Sequence, residues 1–362
     1  MGVDIGLVGA GGISHAHRPA FRDFEDRIRL TGVCDVDEER AADVAAEFDV
    51  EHWTDFETFV EDVDADAVDV ALPHSLHYPA ATAALEAGKH VFLEKPFATS
   101  MAECSDLVDL AEQEDRRLMI GMVQRYHPRH RAVKSLVDAG ELGPIHTARI
   151  DMLQSLPEAG FPPDHWLYDG ELAGGGGILS VLVHKIDLLR YFLGDARRAI
   201  GVSKTVHESF DDAEDYAVGL LEFENGTVAD FFNTYSAAGR PYDELFWLFG
   251  GDGVVHTVPD DPHEEPYVDM PRPKVRYRGD GGSDKRFEPI DPTPTETGLP
   301  TDSAFTNELL HFADCVETGR EPLSSGRDNL RTMATVFAIY ESCRNDGAPA
   351  MVDDILQNHG GA

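Results

Sequence analysis

Apolar residues near the N-terminus come in short runs separated by longer amphipathic stretches. Asp4 to Val8 reads as a buried strand, and the turn Gly9-Ala10-Gly11-Gly12-Ile13-Ser14 carries it into a helical stretch ending near Arg22. Leu30 to Cys34 is the next strand, followed by a helix from Asp37 to about Glu47. Ala67 to Leu72, Val91 to Leu93 and Leu118 to Met122 read as three more strands, with helical segments at Pro79 to Ala87 and Met101 to Glu114 between them. Strand and helix alternate, which predicts an α/β domain built on a parallel, doubly wound sheet.

The pattern changes after Val123. Strand candidates His146 to Leu153, Ala199 to Val206, Tyr216 to Phe223, Val228 to Tyr235 and Glu244 to Phe249 follow nearly back to back, interrupted by a helix from Ile178 to Leu193. That order predicts a second, α+β domain on an open, mostly antiparallel sheet. The expected division is therefore 1–123 and 124–362. Residues 259–301, rich in Pro, Asp and Gly, read as long loops around short strands such as Lys274 to Arg278. Two helices, Ala304 to Glu317 and Asp328 to Asn345, close the pattern, and the final helix is free to pack back on the first domain. The acidic run Glu61-Asp62-Val63-Asp64-Ala65-Asp66 lacks the Gly and closing Glu of a calcium loop and reads as a solvated turn, so no metal site is expected.

Composition narrows the function classes. The 362 residues carry 67 Asp and Glu against 30 Lys and Arg, a formal charge of −37, and such a surface repels a nucleic-acid backbone. Hydrophobic residues make up 42% of the chain, which argues against disorder. Only seven of the basic residues are Lys, and Asp (39) outnumbers Glu (28). A Lys-poor, Asp-rich surface suits concentrated salt, where the Debye length falls to about 3 Å at 1 M and self-repulsion is screened. A halophilic, cytoplasmic protein is expected. Cys34, Cys104, Cys315 and Cys343 form no C-x-x-C pair, and no apolar run reads as a membrane span.

The glycine turn sits where a dinucleotide fingerprint must sit, between the first strand and the first helix. Gly9 permits the tight turn, Gly11 lets the backbone approach a pyrophosphate, and Gly12 and Ile13 lead to the helix N-terminus, whose free N–H groups attract phosphate. Asp35, 21 residues past Ser14 at the end of the second strand, is placed to accept from the adenosine ribose hydroxyls. Asp37, Glu38 and Glu39 follow it, so NAD is favoured over NADP, with Arg40 as an alternative phosphate partner.

Leu72-Pro73-His74-Ser75-Leu76-His77, then Ala84-Leu85-Glu86-Ala87-Gly88-Lys89-His90-Val91-Phe92-Leu93-Glu94-Lys95-Pro96, resembles the stretch shared by the glucose-fructose oxidoreductase and inositol dehydrogenase family, Gfo/Idh/MocA. The likeness continues through Gln124-Arg125-Tyr126-His127-Pro128, the glycine run Gly174 to Gly177 with His184 and Asp187 beyond it, and Ser342 and Arg344. The resemblance implies a Rossmann domain with bound nicotinamide cofactor. Lys95 would be the active-site lysine, Glu94 a cofactor contact, and Pro73, His74 and His77 part of the cofactor wall. Residue chemistry agrees: oxidising a carbinol needs a base for the hydroxyl proton, and a Lys at the carboxyl end of a parallel strand can supply one. The plainer alternative for Lys95 is a surface ion pair with Glu94.

On the helix from Ile178, Ser180, His184, Asp187 and Tyr191 fall within about 60° of arc at helical spacing. His184 could share the proton with Lys95, and Asp187 could orient the imidazole; the alternative is a hydrogen-bonded core histidine. The family usually carries an acid where Ser180 stands, a Gly at Leu182 and an Asn at His74, so an altered substrate preference is expected. Arg125-Tyr126-His127-Pro128-Arg129-His130-Arg131 is a basic island in an acidic chain, which could bring Gln124, Arg125 or Tyr126 to a hydroxylated or anionic substrate, or simply start a solvated helix. Trp166 and Asp169 are further substrate-side candidates.

The resulting expectation is an oxidoreductase moving a hydride between NAD(P) and a sugar, polyol or related hydroxy compound. The sequence leaves two alternatives: a glycoside hydrolase using transient oxidation by NAD, and a non-catalytic sugar sensor. An open sheet with one uncovered face predicts a homo-oligomer, a dimer or tetramer.

Overall fold

In the computed structural model, which describes residues 2–210, 213–239, 242–258, 272–278 and 287–359, the N-terminal alternation becomes β1 (Val3–Val8), α1 (Ser14–Asp23), β2 (Ile28–Cys34), α2 (Glu38–Phe48), β3 (Glu51–Trp53), α3 (Phe56–Asp62), β4 (Ala67–Val70), α4 (His77–Glu86), β5 (His90–Leu93), α5 (Met101–Gln113) and β6 (Leu118–Ile120). Then come α6 (Pro128–Asp138), β7 (Ile145–Gln154), α7 (Gly170–Ala173), a π-helical turn at Ile178–Leu182, α8 (Val183–Leu193), β8 (Ala196–Lys204), β9 (Tyr216–Phe223), β10 (Val228–Thr234), β11 (Tyr242–Gly250), β12 (Gly253–His256), β13 (Lys274–Tyr277) and β14 (Glu288–Pro289). The last elements are α9 (Pro294–Thr297), α10 (Ala304–Thr318), α11 (Gly326–Arg344), β15 (Ala350–Met351) and α12 (Val352–His359).

The chain divides into two compact units. Unit 1 runs to Tyr126 and takes in Pro300–Leu330; unit 2 holds His127–Leu299 and Arg331–Asn358. Helix α10, placed by the sequence pattern in the second domain, packs on α1 in unit 1, where Leu309, Leu310, Phe312 and Ala313 share a core with Phe21 and Phe92.

Unit 1 is a six-stranded sheet in the order β3-β2-β1-β4-β5-β6, every pairing parallel. Ile5, Leu7, Val68, Val70, Val91 and Phe92 are inaccessible, as strands covered on both faces should be. The strand order reverses between β1 and β4, and open α/β sheets bind ligands at the carboxyl ends beside such a reversal. Strand β3 and helix α3 escaped the pattern because β3 spans three residues, none buried, and only Phe59 and Val60 of α3 face the core. The acidic run ends α3 and crosses to β4.

Unit 2 is a nine-stranded sheet ordered β14-β13-β12-β11-β7-β10-β9-β8-β15. Only β7 with β10 is parallel among its pairings. Residues 259–271 and 279–286 of the expected loop region lie outside the described residues. The stretch Gly170–Leu193, which the sequence reading did not flag, is long and apolar enough to cross a membrane, but 78% of its apolar window is buried inside the protein. Its apolar side chains serve as core.

Candidate active site

Apart from Asp35, at the tip of β2, the predicted cofactor residues gather in three loops that follow β1, β4 and β5 at the carboxyl edge of unit 1. Gly9 adopts a positive φ of 101°, and a Cβ there would come within 2.2 Å of the Ala71 carbonyl, so only glycine lets the first loop cross the fourth strand. A Cβ on Gly12 would meet nothing within 4 Å, and one on Gly11 only Arg40 Nη1 at 3.9 Å. That open space above the turn, with the N-terminus of α1 behind it, fits a dinucleotide pyrophosphate. Ile13 is the helix cap, and the Ser14 hydroxyl donates to the Gly11 carbonyl at 2.7 Å, fixing the turn.

Asp35 is buried at the tip of β2. One oxygen accepts the Ala10 N–H at 2.8 Å and the other the Asp37 N–H at 2.9 Å, while Arg40 Nη1 lies 3.3 Å away. The acid thus ties β2 to the glycine turn, with one arginine beside it.

The second loop carries Pro73, half-buried, then His74 and His77, both buried. The His77 ring bridges the carbonyls of Pro96 (2.7 Å) and Leu72 (2.9 Å), and burial lowers its pKa. It therefore ties the loop after β4 to the loop after β5. His74 packs edge-on against it at 5.7 Å.

In the third loop, Glu94 is buried and Lys95 half-buried, ahead of a cis bond to Pro96. Glu94 Oε2 accepts the Lys95 main-chain N–H at 3.0 Å, and Oε1 lies 3.2 Å from His17 Nε2. Glu94 faces inward and anchors the lysine. A Cβ on Gly121 would approach Glu94 Oε1 to 3.2 Å, so a small residue is needed there. Sequence reasoning missed His17, Asp69 and Glu308; the signal was Asp69, an acid in the middle of an otherwise apolar central strand, which demands a buried partner.

Gln124, Arg125 and Tyr126, expected at the substrate, are buried in unit 1. Arg125 donates to the Leu323 carbonyl at 2.8 Å and pairs with Asp328 at 2.7 Å, and the Tyr126 hydroxyl meets Ser324 Oγ at 3.0 Å. The rest of the basic island begins α6: His127 caps it by accepting from Arg129 N–H, and Pro128 takes the first turn.

In unit 2, every residue from Gly176 to Arg190 is buried except His184. Ser180 is buried near Tyr235, whose pKa burial raises while Ser180 opposes the rise. Asp187 accepts from Thr332 Oγ1 at 2.9 Å, and that hydroxyl accepts from Arg190 at 2.7 Å, so the acid is held by α11. The glycine run is clamped by Glu214, which accepts the N–H groups of Gly176 (3.0 Å) and Ile178 (2.9 Å) and the Tyr340 hydroxyl (2.9 Å). Burial raises the Glu214 pKa. Trp166 is half-buried in a short helical turn and packs against His165 at 5.5 Å.

A Rossmann unit with an open glycine turn, an acid ending β2 and a buried-Glu/Lys/Pro loop after β5 defines a dinucleotide-binding protein. Comparison with known sequences agrees. Residues 3–122 match the "Oxidoreductase family, NAD-binding Rossmann fold" profile, and residues 130–256 match the GFO/IDH/MocA C-terminal domain. The chain belongs to the Gfo/Idh/MocA oxidoreductase family. It is 32% identical over 268 residues to inositol 2-dehydrogenase 2 of Saccharopolyspora erythraea, covering 72% of this chain and 74% of that one. It is 26% identical over 351 residues to D-xylose 1-dehydrogenase [NADP(+)] of Haloarcula marismortui, covering 95% and 92%. Among solved structures, levoglucosan dehydrogenase in complex with NADH superposes with a TM-score of 0.87 over 97% of this chain and 99% of that one, at 23% identity, a likeness of fold.

Proposed function

We propose that the chain is an NAD-linked dehydrogenase of a sugar or polyol, with Lys95 as the group that takes the hydroxyl proton. The observation that carries this reading is the anchoring of Lys95: its main chain is held by buried Glu94 at the carboxyl end of β5, while the residue itself stays half-buried and accessible. The named relatives, which include xylose, inositol and levoglucosan dehydrogenases, support the substrate class. When bound, the nicotinamide cofactor supplies the hydride acceptor. Gly9, Gly11, Gly12 and Ile13 would hold its pyrophosphate, and Asp35 the adenosine ribose. Lys95 Nζ takes the proton, and His184, half-buried on α8, shares in handling it, with Asp187 and Ser180 fixing that helix and Trp166 shaping the substrate side.

We further infer a homo-oligomer in the cytoplasm of a salt-loaded cell. Val202, Val218 and Leu220 are exposed on the sheet of unit 2, and the Asp-rich, Lys-poor surface suits concentrated salt; two relatives come from Haloarcula marismortui and Haloferax volcanii. Lys95→Ala tests the assignment of the base. The variant keeps NADH affinity, followed by fluorescence titration, and loses on the order of 10² to 10⁴ in kcat on the best sugar or polyol. A kcat near that of the parent would remove Lys95 from proton transfer.

A further inference from the structure

Beneath the cofactor edge of unit 1, four ionisable side chains from four elements meet in a volume closed to solvent. His17 comes from α1, Asp69 from β4, Glu94 from the end of β5 and Glu308 from α10, and all four are at most 4% exposed. His17 Nδ1 lies 2.8 Å from Asp69 Oδ2, and Nε2 lies 3.2 Å from Glu94 Oε1. Ligand atoms of His17, Glu94 and Glu308 all lie within 4.8 Å of one another. Neither carboxyl oxygen of Glu308 has a hydrogen-bond partner among the described residues. The rings of Phe92 and Phe305 pack on His17 at 5.6 and 6.0 Å, which keeps the cluster dry. Besides these four groups, Lys95 is the charged neighbour acting on Glu94.

We propose that His17 is a positioning residue for the dehydrogenase: as an imidazolium clamped by Asp69 and Glu94 it fixes the carboxylate that holds the Lys95 main chain, and Glu308 is the cluster's neutral, proton-bearing acid. The proposal rests on the reading of Lys95 as the proton acceptor. Both ring nitrogens of His17 face carboxylates, which only the doubly protonated ring can satisfy as donor. One imidazolium between two carboxylates leaves no compensation for a third, so Glu308 stays protonated. The electrostatics run the same way. Burial opposes the His17 charge, but Asp69 and Glu94 outweigh it and raise its pKa well above the ordinary value. Burial would raise Glu94, yet His17 and Lys95 bring it below the usual carboxylate range. Burial, then the charge of Glu94, pushes Glu308 well up, with Asp69 adding to the rise and His17 opposing it. The three ligand atoms of His17, Glu94 and Glu308 could be asked to hold a divalent cation; a proton satisfies them without one.

The tests use the full chain with NADH. In infrared spectra at neutral pH, parent minus Glu308→Gln shows a protonated-carboxyl carbonyl band; absence of that band overturns the assignment of Glu308. Metal analysis of the purified parent finds no stoichiometric divalent ion, and finding one overturns the proton-bearing cluster. His17→Gln lowers kcat on the order of tenfold to a hundredfold with NADH affinity kept, because the lysine's main chain loses its fixed anchor; unchanged kcat and KM overturn the positioning role. Stability supplies a readout independent of substrate. A raised His17 pKa contributes stability that is complete below about pH 6.5 and is lost as pH rises through the folded value. Parent Tm therefore falls on the alkaline side, and His17→Gln flattens that slope; an equal slope in both overturns the imidazolium. If Lys95→Ala were harmless while the infrared band and the slope persisted, the fault would lie in the catalytic reading and not in the cluster.

Discussion

Asp35 shows how one side chain can serve fold and specificity together. Its two oxygens already take the N–H groups of Ala10 and Asp37, yet a carboxylate has lone pairs left for ribose hydroxyls, and it repels a 2′-phosphate. Arg40, 3.3 Å away, is the counterweight that the NADP-named relatives bring into focus. Asp35→Ser should shift the NAD/NADP ratio of kcat/KM on the order of tenfold or more toward NADP, since a hydrogen bond to a charged group contributes about 1.5–3 kcal/mol. A parent enzyme that already prefers NADP would refute the role given to Asp35. At this scale placement was readable where spacing sets it: Gly9 takes the positive φ of the turn, Asp35 follows β2 and Lys95 follows β5. It was not readable where function depends on which way a side chain turns: Glu94 points inward, Arg125 pairs with Asp328, and Tyr126 sits in the core.

Elements built from long periodic runs were legible, including β9 at Tyr216–Phe223 to the residue and the β/α alternation of unit 1 apart from β3 and α3. Helix α8 illustrates what periodicity hides. The apolar stretch from Ile178 reads as one helix in the sequence, but its first turn is π-helical, and the glycine run ahead of it is held by Glu214. Such a clamp is a long-range contact with no local signature. The run also shows that two glycine motifs in one chain are glycines for different reasons. A Cβ on Gly176 would lie 1.8 Å from the Glu214 carbonyl oxygen, whereas one on Gly12 meets open space. Gly176→Ala should therefore cost at least about 2 kcal/mol of stability by denaturant melting, through forced displacement of a packed backbone. Gly12→Ala should leave stability nearly unchanged and weaken NADH binding by crowding the phosphates. Equal stability losses in the two variants would contradict this division of labour.

For the molecule as a whole, the charge of −37 is what the proposal of a salt-loaded cell rests on. Among the acids, Asp35, Asp69, Glu94 and Asp187 are buried and hydrogen-bonded within their units. The candidate cofactor residues lie on a Rossmann unit, and unit 2 leaves apolar side chains exposed on its sheet, an arrangement that the alternation of strands and helices makes visible. What sequence could not deliver is the substrate, because any selectivity of the candidates Ser180, His184 and Trp166 would depend on their placement, not their spacing. The most direct measurement is therefore a panel of sugars and polyols incubated with NAD or NADP in molar salt, following absorbance of the reduced cofactor. The account predicts sustained NADH formation with at least one member of the panel, faster with NAD than with NADP and faster in molar salt than in dilute buffer. Bound cofactor with no reduction on any member of the panel, or cleavage of a glycoside without net NADH, would contradict it.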